Sequence, residues 1–245
     1  MVKDRFTEGK SLQKLKWYQI GVYLTCIASI LVSVFMDKDN LVYILPVAVL
    51  AIGVKHVMLR KKKYSKLYCI VILLIASSDV FSFVGFQEYF AIISTLTTLA
   101  LFLTSVILLK YIDKIKLHPF KSPSTIIGVC FVGYIIYAVL ELLIDYIPEN
   151  SIFYIFLCAS ALLVFTGVVA IIYTNDNYTN GVNLFISVIF TFFQITLTPI
   201  NELFYYNRTF TVLIVICHLL SIYMFMTFIS KTKKVDPKDL KEKFV

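Results

Sequence analysis

Four polar side chains lie deep inside long apolar stretches of this sequence. They are Asp79, Glu141, Gln194 and His218. An ionisable side chain within a membrane span costs at least about 2.5 kcal/mol to insert, so it needs a partner, a cavity or a function. Carboxyl and imidazole groups donate and accept protons, and an amide orients a polar substrate. The four residues therefore indicate acid–base chemistry inside a membrane.

Helical rise, counted along antiparallel spans, places these four side chains in one central to outer layer of the membrane, which we call the polar layer. Asp79 lies about 18 Å from the inner end of its span, close to the bilayer midplane. Gln194 lies at nearly the same depth, while Glu141 and His218 lie nearer the outer face. For Gln194 and His218, hydrogen bonding between helices is a comparable interpretation. For Asp79 we favour a side chain that lines a cavity.

Eight apolar runs must position this layer. The chain has 245 residues, of which 59% are hydrophobic and 16% charged, and this composition excludes an ordinary water-soluble enzyme. About 20 apolar residues in a helix cross the hydrocarbon core. The runs cover residues 17–36, 41–59, 67–86, 89–109, 125–147, 152–173, 181–204 and 210–230. The sequence therefore predicts an all-α polytopic membrane protein with eight transmembrane helices.

The basic residues predict the orientation of these helices, because Lys and Arg are retained on the cytoplasmic side. With the N-terminus inside, only Lys38 and Arg208 lie outside and Lys55 lies within a span, so 20 of the 23 basic residues are cytoplasmic. Both termini are then cytoplasmic. The predicted organisation is an N-terminal tail at 1–16, an eight-helix domain at 17–230 and a basic tail at 231–245. It is compatible with a parallel repeat of four plus four helices.

The remaining polar and sulfur-bearing residues have simpler interpretations. Lys55 and His56 lie one turn from Arg60, so we expect the Lys55 amine to reach the head groups at the inner end of its span. The five cysteines fall in five different spans and are interpreted as packing thiols. The sequence contains no phosphate-binding or metal-ligand motif, which predicts no cofactor and no metal. The basic residues are dispersed, which favours a role in orienting the helices in the membrane over a role in nucleic-acid binding.

The third and fourth spans carry a resemblance to a known family. VILLIASSDVFSFVGFQEYFAIISTLTTLALFLTSVILL, residues 71–109, resembles the bacterial YhhN family, which is related to the mammalian lysoplasmalogenases. In that family a stretch of small residues precedes a membrane Asp, as Ala76-Ser77-Ser78 precedes Asp79 here. GVNLFISVIF at 181–190 is similar to the second block of the family, and ICHLLSIYMF at 216–225 is similar to its final helix. The eight spans also match, and the resemblance covers most of the chain.

The resemblance implies hydrolysis of the vinyl ether bond of lysoplasmalogens, with Asp79 as the acid. The family usually carries an acidic or amide residue early in the seventh helix, where this chain has Val188 and Ile189. The second catalytic role is therefore predicted for His218 or Glu141. Substrate contacts are predicted for three further residues, which are Gln194, Ser78 and Asn201.

A second interpretation is a non-enzymatic protein or carrier that binds a lipid or a small solute in the same polar layer. The predicted partner is a membrane lipid or lysophospholipid. Lys outnumbers Arg strongly in this chain. That composition favours an AT-rich bacterial genome and a bacterial cytoplasmic (inner) membrane.

Overall fold

A computed structural model describes residues 17–61, 64–112, 123–147, 151–175 and 178–234. At 123–127, 129 and 143 it describes the backbone alone. The predicted tail at 1–16 lies outside the described residues, as does most of the predicted tail at 231–245. The basic link at 113–122 lies outside them too.

The described residues form eight α-helices, and seven of these are long and apolar enough to cross a membrane. In the remaining helix, Pro123–Leu143, the described apolar stretch is Cys130–Leu142. An all-helical protein with helices suited to a membrane is therefore confirmed within the described residues. The helices are α1 Trp17–Phe35, α2 Leu41–Arg60, α3 Lys66–Gly85, α4 Phe90–Leu109, α5 Pro123–Leu143, α6 Ile152–Thr174, α7 Gly181–Pro199 and α8 Arg208–Lys231.

Polar contacts define the two ends of the helix bundle. At the end where α2 finishes, which we call the proximal end, the Arg60 guanidinium donates to the carbonyl of Ile229 over 2.7 Å. At the opposite, distal end, the Lys38 amine pairs with the Glu202 carboxylate over 2.7 Å. The odd-numbered helices therefore run from the proximal to the distal end, and the even-numbered helices run back.

Sequential neighbours build most of the bundle, and one helix lies at its edge. Helices α1 to α4 pack in order, α4 packs on α6, α6 on α7, and α7 on α8, which returns to α1 and α2. Helix α5 contacts α6, α7 and the segment Ile200–Phe204. Close approach needs small residues, since lipid offers no hydrophobic drive between helices. At Gly53 of α2 an added Cβ would lie 2.9 Å from Ile72 of α3, so glycine permits this contact.

Helix α3 carries Asp79 and helix α8 carries His218, and each of these helices is capped at its start. The Ser65 hydroxyl accepts from the Tyr68 N–H at the start of α3, and the Asn207 side chain accepts from the Thr209 N–H at the start of α8. A cap satisfies one of the orphan N–H groups of the first turn, which stabilises the helix end. The caps thus fix where α3 and α8 begin.

The predicted seventh span at 181–204 is divided into two conformations. Helix α7 ends at Pro199, and residues Ile200–Phe204 continue as a π-helical segment. Proline lacks an N–H donor, which disturbs the regular hydrogen-bond ladder. In this segment Asn201 is buried, donates to the Thr211 hydroxyl and accepts from the Asn207 N–H. The segment therefore ties the distal end of α7 to α8.

The structure corrects the expectation for Lys55. Its side chain does not reach the end of the helix, because Lys55 is only 3% exposed. The amine donates to the Tyr223 hydroxyl over 2.9 Å and lies 5.3 Å from the centre of the Tyr23 ring. Aromatic faces attract a desolvated cation, so the two tyrosines stabilise the amine within the bundle.

Candidate functional site

Asp79 and His218 form a buried pair between α3 and α8. Asp79 Oδ2 lies 3.1 Å from His218 Nε2. Asp79 is 8% exposed and His218 is 6% exposed. Hydrogen bonds between ionisable groups are strong where water is scarce, and a proton passes readily along them. The structure thus brings together two of the four residues of the predicted polar layer as direct partners.

Two cavities meet beside this pair. The large cavity, of about 130 Å³, extends from Asp79 towards the distal end. The small cavity, of about 80 Å³, extends from Asp79 and His218 towards the proximal end. Five residues line both cavities, namely Ser78, Asp79, Thr97, Gln194 and Ile195. The Asp79 carboxyl therefore faces both spaces.

The large cavity is apolar along most of its wall. Helices α4, α5 and α6 contribute side chains such as Phe90, Ile136, Leu140 and Leu162. Its polar residues, including Ser82 and Thr198, come from α3, α7 and the start of α4. Ligand sites in proteins are mostly apolar with a few placed polar groups. This arrangement suits an aliphatic chain whose reacting group lies at Asp79.

The small cavity is lined by several hydroxyl groups. Ser187 of α7 donates to the carbonyl of Ser221 on α8 over 2.9 Å. The hydroxyls of Thr191 and Ser221 form a short hydrogen bond across the same two helices. On the other wall, the Ser78 and Thr97 hydroxyls lie 3.2 Å apart and join α3 to α4. These contacts hold α3, α4, α7 and α8 around the pair.

Gln194 and Ser78, both predicted to contact substrate, lie at the junction of the two cavities. Within the described part of the chain, the Gln194 amide group makes no hydrogen bond. The amide thus presents both a donor and an acceptor to the cavities. The contact with substrate stays a prediction for both residues.

Glu141 and Asn201 are not brought to the pair. Glu141 is exposed on α5 and lines none of the cavities described here. Asn201 lines a third, smaller cavity near the distal end, where its side chain bonds to Thr211 and to the Asn207 N–H. Their predicted roles stay predictions, and the geometry favours His218 as the partner of Asp79.

Sequence reasoning missed several residues that complete the site. Thr97, Ser221 and Ser82 line the cavities but were not singled out as site residues. Helical spacing was a usable signal, because Ser82 and Ser221 each lie three residues after Asp79 and His218 respectively, on the same helix face. Thr97 had no such signal, because its position depends on how α3 and α4 pack.

The structure also places Val188 and Ile189, the two positions at which this sequence departs from the YhhN pattern. Val188 is buried in the hydrophobic core and Ile189 is exposed on the surface of α7. Neither therefore offers a polar group to the pair. The described residues include no cluster of three or more His, Cys, Asp or Glu side chains that could hold a metal ion.

Comparison of the chain with models of protein families, with curated proteins and with solved structures finds no match.

Proposed function

We propose that this protein is a YhhN-like membrane hydrolase that opens the vinyl ether bond of lysoplasmalogens within the helix bundle. The observation that carries the proposal is the 3.1 Å contact between Asp79 and His218 where two cavities meet. A buried carboxyl and imidazole facing a cavity are suited to proton transfer. The sequence resemblance around Asp79 supports the choice of reaction.

In the proposed first step, the Asp79 carboxyl gives its proton to the vinyl ether carbon that is not bonded to oxygen. A C–H bond forms from the double-bond electrons, and an oxocarbenium ion appears at the carbon attached to oxygen. The Asp79 carboxylate that remains is opposite in charge to this ion and stabilises it. A hydrogen bond from His218 Nε2 to that carboxylate stabilises it in turn.

In the second step, water attacks the oxocarbenium carbon and Asp79 takes back one of its protons. The hemiacetal then breaks its C–O bond, and its hydroxyl proton passes to the leaving oxygen. The products are a fatty aldehyde and a glycerophospho head group with a free hydroxyl. One water is consumed and the Asp79 carboxyl is restored, so the reaction needs no further co-reactant.

His218 takes the place of the second acidic residue of the family in this proposal. Position 188 is a buried valine, whereas the His218 imidazole contacts the Asp79 carboxyl directly. An imidazole nitrogen 3.1 Å from the carboxyl can donate a proton to it or accept one from it. We therefore assign Asp79 as the acid and His218 as the residue that positions it and adjusts its proton.

The large cavity is the proposed place for the reacting end of the lipid. Its volume of about 130 Å³ is below that of a typical site for a drug-sized ligand, about 300–1,000 Å³. The rest of the aliphatic chain must therefore extend between helices towards the surrounding lipid. Helix α5 is the proposed side of exit, since it supplies Ile136, Val139 and Leu140 to the wall and lies at the edge of the bundle.

The proposal includes an orientation in which the proximal end is cytoplasmic. The distal end has Lys38 and Arg208, and both are paired with carboxylates. The proximal end has a larger set, namely Arg60, Lys61, Lys66, Lys110, Lys231, Lys233 and Lys234. This distribution supports cytoplasmic termini. A bacterial inner membrane and a four-plus-four repeat remain part of the same proposal.

The decisive test is aldehyde release from a lysoplasmalogen by the purified protein in lipid nanodiscs. We expect Asp79→Asn to lower the rate by a factor of about 10² to 10⁴, the usual contribution of a general acid. Glu88→Gln is the matched control, since it also neutralises a carboxylate but lies exposed at the distal end. An Asp79→Asn protein as fast as the parent would refute the assignment.

The same assay separates the hydrolase from a carrier. Saturable binding of lysolipid by the parent protein, without aldehyde release, would replace the hydrolase by a non-enzymatic lipid-binding protein. Asp79 and Gln194 would then contact the bound head group or glycerol oxygens. In that outcome Asp79→Asn changes the affinity and no turnover is observed in any variant.

A further inference from the structure

A third cavity continues the polar interior towards the distal surface. Its volume is about 30 Å³, and it shares Ser82 and Thr198 with the large cavity. Glu202 and Asn201 line its far side. The small, large and third cavities therefore form a series in which each shares residues with the next. The series extends from the hydroxyl-lined space beside His218 to Glu202 at the distal end.

Polar side chains follow this series at helical spacing. On α7 and the π segment, Gln194, Thr198 and Glu202 are each four residues apart, so a continuous helix would bring them to one face. On α3, Asp79 and Ser82 are three residues apart, and both line the large cavity. Two facing helices thus line the series with polar atoms.

The hydroxyl groups along this series are held by their own helices. Ser82 donates to the carbonyl of Ser78 over 2.8 Å, and Thr198 donates to the carbonyl of Gln194 over 2.7 Å. Each hydroxyl proton is therefore used, while the hydroxyl oxygen keeps lone pairs that accept from water. A buried water needs two to four polar partners and a cavity volume of about 10–15 Å³. The third cavity meets the volume requirement for one or two waters.

An ion pair lies at the distal end of the series. The Glu202 side chain is 11% exposed and accepts from the Lys38 amine over 2.7 Å. The amine also lies 5.1 Å from the centre of the Tyr206 ring. Lys38 belongs to the link before α2, whereas Glu202 belongs to the π segment after α7. The pair therefore joins two distant parts of the chain across the end of the third cavity.

We propose that the three cavities form a hydrated path that carries water and protons from the distal surface to Asp79 and His218, with the Lys38–Glu202 ion pair closing its mouth. Polar residues inside a membrane commonly mark such routes. Hydrolysis consumes one water per turnover, and this use of the path rests on the proposed function. The path itself does not, because a carrier with the same bundle would contain it too.

Silver-ion protection of single introduced cysteines tests the path in the full chain. Ag⁺ is close to water in size and binds thiols, so it reaches narrow hydrated spaces. Ser82→Cys and Thr198→Cys place a thiol on the path. Thr95→Cys is the matched control, because Thr95 is also half-buried near the distal end but lines none of the three cavities. After a timed pulse the protein is denatured and alkylated, and peptide masses identify the protected thiols.

We expect Ag⁺ to protect Thr198→Cys and Ser82→Cys and to leave Thr95→Cys at the level of the native cysteines other than Cys158, which lines the large cavity. Adding Lys38→Gln should raise the rate at Thr198→Cys about fivefold, the change that one partly exposed ion pair can produce. Glu202→Gln breaks the same pair and serves if Lys38→Gln does not elute as a folded protein. Equal rates at Thr198→Cys and Thr95→Cys in every background would overturn the path. An unchanged rate after loss of the ion pair would overturn its role as the closure.

The readout does not depend on catalysis, so the two proposals fail separately. Protection of Thr198→Cys in a protein that releases no aldehyde supports the path and rejects the hydrolase. Aldehyde release with no protection at Thr198→Cys or Ser82→Cys keeps the hydrolase and rejects the path. Water would then have to reach Asp79 by another side of the large cavity.

Discussion

Two buried histidines in this bundle have opposite surroundings. The ring of His56 on α2 is fully hydrogen-bonded: Nε2 accepts from the Ser65 N–H over 3.1 Å, and Nδ1 lies 2.9 Å from the Ser230 hydroxyl. Because Nε2 accepts, Nδ1 carries the proton and donates. His218 on α8 instead contacts the Asp79 carboxyl and makes no other hydrogen bond within the described part of the chain.

The spaces around the two rings differ as well. His56 packs edge to face against Tyr68, with ring centres 4.8 Å apart, and lines none of the cavities described here. His218 lines the small cavity together with Asp79. A satisfied and enclosed imidazole stabilises the join between helices, whereas an imidazole beside a carboxyl and a cavity can exchange a proton. Burial alone therefore does not distinguish a structural histidine from a functional one.

Among the tests of this contrast, the largest effect is expected from the same substitution at both histidines. His218→Leu removes the partner of Asp79, so we expect aldehyde release to fall about a hundredfold or more. His56→Leu leaves the Asp79 pair in place, so its rate per folded molecule should remain close to that of the parent. The measurement is the rate of aldehyde release, normalised to the protein that elutes as a single species.

His218→Gln guards this comparison against a folding defect. Glutamine keeps a hydrogen-bond donor near Asp79 but cannot carry a proton at neutral pH. The rate should stay low in His218→Gln even where its elution and helicity match those of the parent. Full activity in this variant would mean that His218 is as structural as His56, and the contrast between the two rings would be lost.

A smaller effect is expected on stability, and it tests the structural role of His56. His56→Leu leaves the Ser65 N–H and the Ser230 hydroxyl without their ring partner, at a cost of about 1–3 kcal/mol. For a chain of this size each kcal/mol lowers the midpoint of thermal unfolding by about 2–4 °C. The midpoint is measured in detergent by circular dichroism. A midpoint equal to that of the parent would contradict a structural role for His56.

The sequence predicted the helices of this fold closely, because apolar runs bounded by charges record where a chain crosses a membrane. The second span was predicted at 41–59 and the helix is Leu41–Arg60. The change to π geometry after Pro199 was missed, since nothing in the run of apolar residues marks it. The packing of α4 on α6, with α5 at the edge of the bundle, was not predicted either. In lipid both buried and exposed faces are apolar, so hydrophobic periodicity carries little information on neighbours.

The sequence predicted the depth of the candidate site residues in the membrane, but not the helix face on which each side chain lies. Counting helical rise placed Asp79, Gln194 and His218 in one layer, and the structure brings all three to the small cavity, while Asp79 and Gln194 also line the large one. Glu141 has a similar predicted depth but belongs to the outlying α5 and is exposed. Depth follows from the number of residues along a helix. The face that a residue presents depends on packing that one sequence does not record.

The smallest effect is expected at Glu141, the other predicted partner of Asp79. Its exposed carboxylate lines none of the described cavities, so Glu141→Gln should change the rate of aldehyde release less than about twofold. The assay is the one used for the two histidines, with His218→Gln measured in parallel. A loss in Glu141→Gln as large as in His218→Gln would mean that α5 moves inward when lipid binds. Glu141 would then act in proton transfer together with His218, and exposure in the structure would not separate a functional carboxylate from a surface one.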